Sequence, residues 1–231
     1  MTLKDIGEFG FIDRISRGCL IRPAGIVKAI GDDAAAFRSD PELLNLVTTD
    51  LLIERVHFMR DAADGYSLGY KALAVNLSDI AAMGGTARNA FVSIAVPQDV
   101  TLDFLDDFYR GIKRLAAEHE VNILGGDTTG SSVDLIINVV VTGTVAEKEV
   151  LFRDKARVGD VIFSSGCLGD SRAGLHLVLN RIAADTPYLK TLLNAHLRPK
   201  PLLREGRLLA AHGISCASAV SVRACSSIVC P

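Results

Sequence analysis

Apolar residues follow two different spacings along the chain, one typical of helices and one of strands. Residues 65–83 are rich in Ala and Leu and stop at Gly84-Gly85, which predicts a helix. The apolar residues after Thr101 keep helical spacing to about Glu120, which predicts a second helix. Thr101 is the candidate N-terminal cap of this helix. A further amphipathic helix is predicted at 5–16. Short apolar stretches predict strands at 34–37, 45–49, 90–96, 121–124 and 133–145. The alternation indicates an α/β (α+β) domain over residues 1–147, with a mixed sheet flanked by helices.

A second, smaller unit is predicted for residues 148–231. Its expected elements are a strand at 161–163 and helices at 170–182 and 202–211. From Gly206 to Pro231 there is no Asp or Glu, and the last sixteen residues are dominated by Ser and Cys. We therefore expect an incomplete C-terminal α/β domain whose sequence is aberrant after about residue 213.

Composition excludes several classes of protein. Lys and Arg number 25 and Asp and Glu 27 among 231 residues, so a net charge of −2 gives no electrostatic case for nucleic acid or an anionic membrane. No apolar stretch approaches the ~18 residues of a membrane span. The first residues carry acids and lack an apolar export-signal core, so a cytoplasmic location is expected. The five cysteines fit neither zinc ligation nor a disulfide framework, which predicts free thiols.

Candidate chemistry is concentrated in aspartates near predicted strand ends. They occur in Gly31-Asp32-Asp33, Thr48-Thr49-Asp50 and Gly125-Gly126-Asp127. Carboxylates beside hydroxyl groups are oxygen ligands that suit Mg²⁺, and neighbouring glycines let backbone approach a phosphate. Each motif alone is more often a turn or a helix cap than a ligand site.

Asp79 is the most informative single residue. It lies inside an otherwise apolar helix, one turn after Asn76, and its neighbours indicate burial. A buried carboxylate needs a hydrogen-bond partner or a metal ion. His57, by contrast, has no distinguishing context of its own, and a structural role is the simpler interpretation.

In their order along the chain, these motifs resemble a known family. The matching segments are IGDDAA at 30–35, TTDLL at 48–52, VHF at 56–58, KALAVNLSDIAAMG at 71–84 and GGDTT at 125–129. They are similar to the thiamine-monophosphate kinases, which belong to the aminoimidazole ribotide synthetase superfamily. Phe152-Arg153, residues 166–171 and residues 196–199 continue the resemblance, which covers roughly residues 6–213.

The resemblance implies a reaction and an assembly. The family transfers the γ-phosphoryl group of ATP to thiamine monophosphate, giving thiamine diphosphate and ADP, with several Mg²⁺ ions. It works as a homodimer whose N-terminal domains pair their sheets into a barrel-like core, with nucleotide near the dimer cleft. No protein nucleophile or base is expected, because the attacking group is already a phosphate oxygen that is mostly ionised at pH 7.

The resemblance also implies site residues. The positions that match magnesium ligands are Asp33, Thr48, Thr49, Asp50, Asp79 and Asp127. The positions that match ATP contacts are Tyr109, Gly126, Asp127 and Arg153. His57 matches a contact to the thiamine phosphate substrate.

The chain departs from the family near its end. A Ser-Asp-Gly-Leu block expected after the helix ending near Ala211 is replaced by residues 219–225, and Val220-Ser221 resembles its beginning. One codon choice for residues 223–229, read two bases later, encodes Gly-Leu-Phe-Leu-Asp-Cys, which suggests a frameshift. Sequencing the coding DNA tests this hypothesis, because it requires an adjacent frame that continues the family pattern.

Two alternatives to the kinase remain open at the sequence level. One is a non-catalytic dimeric fragment that binds Mg-nucleotide without transferring phosphate. The other is a sister activity of the superfamily, such as aminoimidazole ribotide or selenophosphate synthesis. His57 after Thr48-Thr49-Asp50, and the segment 125–129, favour the thiamine branch.

Overall fold

The computed structural model of the protein describes residues 24–29, 32, 34–38, 40–155, 157–161, 164 and 166–213. The predicted helix at 5–16, Asp33, most of the predicted strand at 161–163 and the tail after 213 lie outside the described residues. The described chain forms a mixed sheet with helices packed against it, which confirms the predicted α/β class.

Six strands form one sheet in the order β1-β2-β3-β6-β4-β5. The strands are β1 (Ile26–Lys28), β2 (Ala35–Arg38), β3 (Leu43–Ile53), β4 (Thr86–Pro97), β5 (Asn122–Ser131) and β6 (Ile136–Ala146). β4 and β5 run parallel, whereas the other neighbouring pairs are antiparallel. Buried positions alternate with more exposed ones along β6 and most of β3, so one face of the sheet packs against helices.

The helix α1 (Gly65–Ala82) is buried along almost its whole length. Its first turn is capped by Asp64, whose carboxylate accepts a hydrogen bond from the Ser67 N–H. Its apolar side chains fill the core against the sheet, and Leu73, Leu77 and Ile80 are fully buried. A helix buried on all sides makes any polar side chain within it costly unless that side chain has a partner.

The helix α2 (Leu102–Glu118) is amphipathic and lies beside α1. Thr101 caps it by accepting from the Phe104 N–H, as the sequence predicts. Phe108, Ile112 and Leu115 form its buried stripe. No helix in the described part of the chain is long and apolar enough to cross a membrane.

α1 and α2 cross at a very short distance between their backbones. A Cβ atom at Gly69 would lie 1.9 Å from the carbonyl oxygen of Phe108, and one at Gly111 would lie 2.0 Å from that of Tyr66. No side chain fits at these distances, so the crossing requires glycine at both positions. The crossing helps to set the position of α1, which carries Asp79.

Three helices follow the sheet: α3 (Asp170–Leu179), α4 (Pro187–Leu197) and α5 (Leu203–Ala211). α3 packs closely on α4, since a Cβ atom at Gly174 would lie 2.1 Å from the carbonyl oxygen of Leu192. α5 packs on α1 in the same way through Gly206 and Ala81, and Leu203 belongs to the core under the sheet. The division of the chain at residue 147 stays a prediction.

Several elements differ in extent from their prediction. β3 and β5 are longer than the apolar stretches at 45–49 and 121–124, because main-chain pairing with their neighbours continues through polar residues. The segment 125–129 therefore lies within β5 rather than after it. The apolar pattern predicts neither β1 nor α4, although Thr186 caps α4 by accepting from the Leu189 N–H.

The helix crossing gives a test of the packing. Gly69→Ala is expected to lower the free energy of unfolding by about 1–3 kcal/mol or more, because the backbones must separate. The sign of the change in unfolding free energy is informative, because helix propensity alone would make alanine more stable than glycine by about 1 kcal/mol. Urea denaturation measures the change. Gly130→Ala is the control, because a Cβ atom there meets nothing within 4 Å. Unchanged stability of Gly69→Ala would contradict the close crossing.

Candidate functional site

A buried carboxylate lies in the middle of α1. The Thr48 hydroxyl on β3 donates a hydrogen bond of 2.7 Å to Asp79 Oδ2. Asp79 is only 7% exposed and Thr48 only 5% exposed. The sequence-based expectation of a buried, partnered Asp79 is thus confirmed. An ionised carboxylate has about four acceptor positions. Asp79 can therefore accept the hydrogen bond from Thr48 and still bind a cation.

Asp50 and His57 lie beside this pair. Asp50 is two residues beyond Thr48 on β3 and therefore shares its face of the sheet. His57 follows β3, and its Nδ1 accepts a hydrogen bond of 3.0 Å from the Ile53 N–H. Burial lowers the pKa of His57, the Asp50 carboxylate opposes this shift, and the charge of Lys71 adds to it. His57 is therefore neutral at pH 7 and carries its proton on Nε2, where it serves as a donor.

The oxygen atoms of Thr48, Asp50, Asp79 and Asn76 are called here the β3–α1 oxygen cluster. Asn76 is fully buried one turn before Asp79, and its side-chain oxygen has no hydrogen-bond partner among the described residues. Carboxylate, hydroxyl and amide oxygens are the donors that Mg²⁺ prefers, so the chemistry of this set fits a divalent cation.

The cluster does not amount to a complete metal site within one chain. Across the ranges that the structure describes, no three His, Cys, Asp or Glu side chains converge to hold a metal ion. Asp33, a predicted ligand, lies outside these ranges. Mg²⁺ is usually held by one or two carboxylates together with water and substrate phosphates, so the cluster needs such additional ligands.

Thr49, another predicted ligand, lies on the opposite face of β3 from Thr48 and Asp50. Its side chain is exposed, and its hydroxyl accepts a hydrogen bond of 2.8 Å from Asn138 Nδ2 on β6. Successive side chains of a strand point to opposite faces. The Thr49 hydroxyl therefore does not join the oxygen cluster in this chain.

Gly126 and Asp127 lie on β5, at one edge of the sheet. A Cβ atom at Gly126 would lie 1.7 Å from the carbonyl oxygen of Val92, so glycine is required for β5 to pair with β4. Asp127 is exposed, and its Oδ1 accepts a hydrogen bond of 2.9 Å from the Thr128 N–H. β6 and β4 lie between β3 and β5, which puts Asp127 about 14 Å from Asp50 along the sheet. The two predicted magnesium ligands are thus not brought together within one chain.

The other predicted nucleotide contacts are also separated. Tyr109 is half-buried on α2, edge-on to Phe108 with ring centroids 5.4 Å apart, and burial raises the pKa of its phenol. Arg153 lies in a short turn after β6. Its main-chain N–H donates to Asp32 Oδ2 at 3.4 Å, and its Nε lies 3.9 Å from Asp32 Oδ1. Asp32 lies between β1 and β2, so Arg153 is held near the edge of the sheet opposite β5.

A polar group that the sequence analysis did not select lies on the same helix as Asp79. The Lys71 side chain is only 4% exposed, and its Nζ lies 3.4 Å from Nε2 of His196 on α4. Burial lowers the pKa of Lys71 from 10.5 to about 8. Burial and the charge of Lys71 together lower the pKa of His196 to about 4. The available signal was a lysine within an apolar helix, in the same segment that carries the family resemblance.

Comparison with known proteins identifies the class first. Residues 31–145 match the family described as "AIR synthase related protein, N-terminal domain". The chain therefore contains an AIR synthase-related N-terminal domain.

Individual relatives indicate which group within this family the chain resembles. The chain is 39% identical over 199 residues to a thiamine-monophosphate kinase from Aquifex aeolicus (strain VF5), and the match covers 86% of this chain and 61% of that protein. It is 35% identical over 203 residues to the thiamine-monophosphate kinase from Bacillus subtilis (strain 168), and that match covers 87% of this chain and 62% of that protein. The predicted resemblance to thiamine-monophosphate kinases is confirmed. The chain spans about three-fifths of the length of these curated relatives.

A solved structure agrees with this assignment. "AaThiL complexed with AMPPCP and TMP" superposes with a TM-score of 0.82 and 36% sequence identity. The match covers 91% of this chain and 64% of that chain. Nearly all of the described fold is therefore shared with that protein.

The buried lysine predicts an unusual dependence of stability on pH. Because the pKa of Lys71 is about 8 when folded and 10.5 when exposed, the folded state binds fewer protons between these values. The contribution of Lys71 to stability therefore rises as pH increases through that window. Lys71→Met removes the charge at similar volume and is expected to raise the free energy of unfolding at pH 7 by up to about 3 kcal/mol.

Urea denaturation of both proteins from pH 7 to 10 measures this difference. The gap between Lys71→Met and the wild type is expected to narrow as pH rises. Lys113→Met, an exposed position on α2, controls for the change of residue type. A Lys71→Met protein that is less stable than the wild type at pH 7 would contradict the cost assigned to the buried charge.

Proposed function

We propose that the protein catalyses the ATP-dependent phosphorylation of thiamine monophosphate to thiamine diphosphate, assisted by Mg²⁺. The observation that carries this proposal is the β3–α1 oxygen cluster, in which buried Asp79 and Thr48 lie near Asp50 and the neutral His57. Relatives that share up to 39% of their residues with this chain are named thiamine-monophosphate kinases, and the superposed structure holds AMPPCP and TMP. AMPPCP is a non-hydrolysable analogue of ATP, which supports ATP as the phosphoryl donor.

The proposed metal ligands in this chain are Asp33, Thr48, Thr49, Asp50, Asp79 and Asp127. Of these, Thr48 and Asp79 are hydrogen-bonded to each other, and Asp50 lies two residues beyond Thr48 on β3. Bound Mg²⁺ would offset the repulsion between the two anionic phosphates and so allow them to approach. Thr49 would have to contribute through its main chain, because its side chain lies on the other face of β3.

The remaining residues are proposed to bind the two substrates. The Nε2–H of His57 donates to a phosphate oxygen of thiamine monophosphate, which a neutral imidazole can do without adding charge. Gly126 allows close approach of the nucleotide to the β5 main chain. Tyr109 and Asp127 are proposed to contact ATP, and the Arg153 guanidinium to bind its phosphate oxygens.

The reaction needs positioning rather than a protein nucleophile. A phosphate oxygen of thiamine monophosphate attacks the γ-phosphorus of ATP and forms the new P–O bond. The bond between the γ-phosphorus and the bridging oxygen breaks, and ADP leaves with that electron pair. Because the attacking oxygen is already ionised, no proton has to be removed by a side chain.

A homodimer is proposed, because the residues of one chain are too far apart to form one site. Asp127 and Gly126 lie at one edge of the sheet, whereas Arg153 lies towards the other. If the sheets of two copies pair into a barrel-like core, the β5 edge of one copy can approach the β3–α1 oxygen cluster of the second. The edge position and exposure of β5 support this arrangement.

A coupled assay of ADP release with ATP, Mg²⁺ and thiamine monophosphate tests the proposed function. The wild-type chain is expected to release ADP only when thiamine monophosphate is present. Asp79→Asn is expected to lower turnover by about 100-fold or more, since loss of an outer-shell partner alone typically costs 10–100-fold.

Asp106→Asn, an exposed carboxylate on α2, is the matched control and should retain wild-type turnover. Wild-type turnover by Asp79→Asn would contradict the assigned role of the cluster. If the wild type releases no ADP but retains Mg-dependent ATP binding, the chain is a nucleotide-binding fragment and the kinase activity is excluded for it.

A further inference from the structure

Lys71 is a buried cation that lacks a negatively charged partner among the described residues. Within the described part of the chain, its nearest polar partner is His196 Nε2, at 3.4 Å. His196 is itself buried, and Ser171 Oγ lies 3.4 Å from its other ring nitrogen, Nδ1. The side chains of Lys71, His196 and Ser171 thus form a polar row that joins α1 to α4 and α3. Within this row, Lys71 contacts only the uncharged imidazole of His196.

This arrangement leaves the ammonium group of Lys71 under-coordinated. An ammonium has three N–H donors, whereas a neutral imidazole nitrogen offers a single lone pair. Burying a charge without an opposite charge is unfavourable, and such groups in proteins are normally paired. A hydrophobic residue of similar volume would avoid this cost. The fold therefore maintains a positive charge at a position where packing alone does not require one.

The space beside Lys71 is a small crevice between α1, the loop after β3, and α3 and α4. Its lining includes the polar residues His57, Ser67 and His196 and the apolar residues Leu68 and Leu175. The cavity volume is about 20 Å³, which is enough for one water molecule or one terminal oxygen of a phosphate. Lys71, with its ammonium donors, and His57, whose Nε2 carries the proton, both line this crevice.

We propose that Lys71 is an anion-binding residue that receives one phosphate oxygen of the acceptor substrate in this crevice, together with His57. This inference rests on the proposed function, and it adds a residue to the substrate site. The cost of the buried charge is recovered when the anion binds, since an ammonium–phosphate hydrogen bond replaces an unpaired charge. Lys71 thereby selects a phosphorylated acceptor.

The same charge opposes binding of the unphosphorylated compound. Thiamine carries a positive thiazolium ring and no compensating phosphate. Placing it beside a buried ammonium sets two like charges against each other at low dielectric. Because thiamine monophosphate carries the same thiazolium ring, the discrimination by Lys71 rests on the phosphate, which offsets this repulsion and which thiamine lacks.

Thermal unfolding with inorganic phosphate as the probe tests the anion site without relying on turnover. The wild-type Tm is expected to rise with phosphate concentration, because phosphate binds only the folded state. Lys71→Met is expected to start at a higher Tm and to bind phosphate about 10- to 100-fold more weakly, as expected for loss of one charged hydrogen bond. Lys71→Arg, which keeps the charge, should retain part of the phosphate response, and Lys113→Met should behave like the wild type.

The same phosphate response in Lys71→Met and in the wild type would overturn the proposal. So would a Lys71→Met protein that is less stable without phosphate, because Lys71 would then be a structural residue. An assay of turnover adds a second readout: Lys71→Met should raise the KM for thiamine monophosphate by about 10- to 100-fold while leaving the KM for ATP unchanged.

The two proposals fail in different ways. If the wild type phosphorylates thiamine monophosphate and Lys71→Met has an unchanged KM for it, the role of Lys71 is wrong and the kinase function stands. If the wild type binds phosphate through Lys71 but does not turn over thiamine monophosphate, the anion site stands and the proposed reaction is wrong.

Discussion

The structure depends on the burial of one helix that is not wholly apolar. α1 is enclosed by the sheet, by α2 at a glycine crossing and by α5, yet it carries Lys71, Asn76 and Asp79. Burial makes each of these polar groups costly unless it has a partner. Thr48 donates to Asp79, the Asn76 amide donates to a main-chain carbonyl one turn earlier, and Lys71 lies beside His196. The Asn76 side-chain oxygen and the other N–H donors of Lys71 are the groups that the proposed cation and substrate would satisfy. The cost of burying these groups is thus linked to the capacity to bind ligands.

The strand order imposes a second constraint. Predicted site residues occur on β3, on β5 and in the turn after β6, and the sheet keeps these elements in a fixed order. One chain therefore carries the β3–α1 oxygen cluster near the centre of the strand order and the proposed nucleotide contacts towards its two edges. The proposed association of two copies would join these partial sites without rearranging the sheet. It would also cover β5, an edge strand that could otherwise pair with other chains.

Much of the fold follows directly from the sequence, and the exceptions have physical reasons. α1 and α2 are predicted closely, because their apolar spacing and the Thr101 cap act locally. The lengths of β3 and β5 are underestimated, because main-chain pairing that does not depend on apolar side chains holds the ends of both strands. The burial of Asp79 is predictable from its neighbours.

The tertiary relations within the site are not predictable in this way. The separation of Asp127 from Asp50, and the meeting of Lys71 with His196, depend on strand order and on contacts between residues far apart in the chain. The family resemblance identifies individual residues but not which of them meet within one chain.

We propose that the β3–α1 oxygen cluster binds the metal that accompanies the nucleotide. Diffraction from crystals grown with Mn²⁺ and AMPPCP, measured at the manganese absorption edge, is the sharpest test of this proposal. We expect an anomalous peak in contact with the carboxylates of Asp50 and Asp79, between them and the nucleotide phosphates. Ordered nucleotide and manganese elsewhere, with no peak beside either carboxylate, would contradict it.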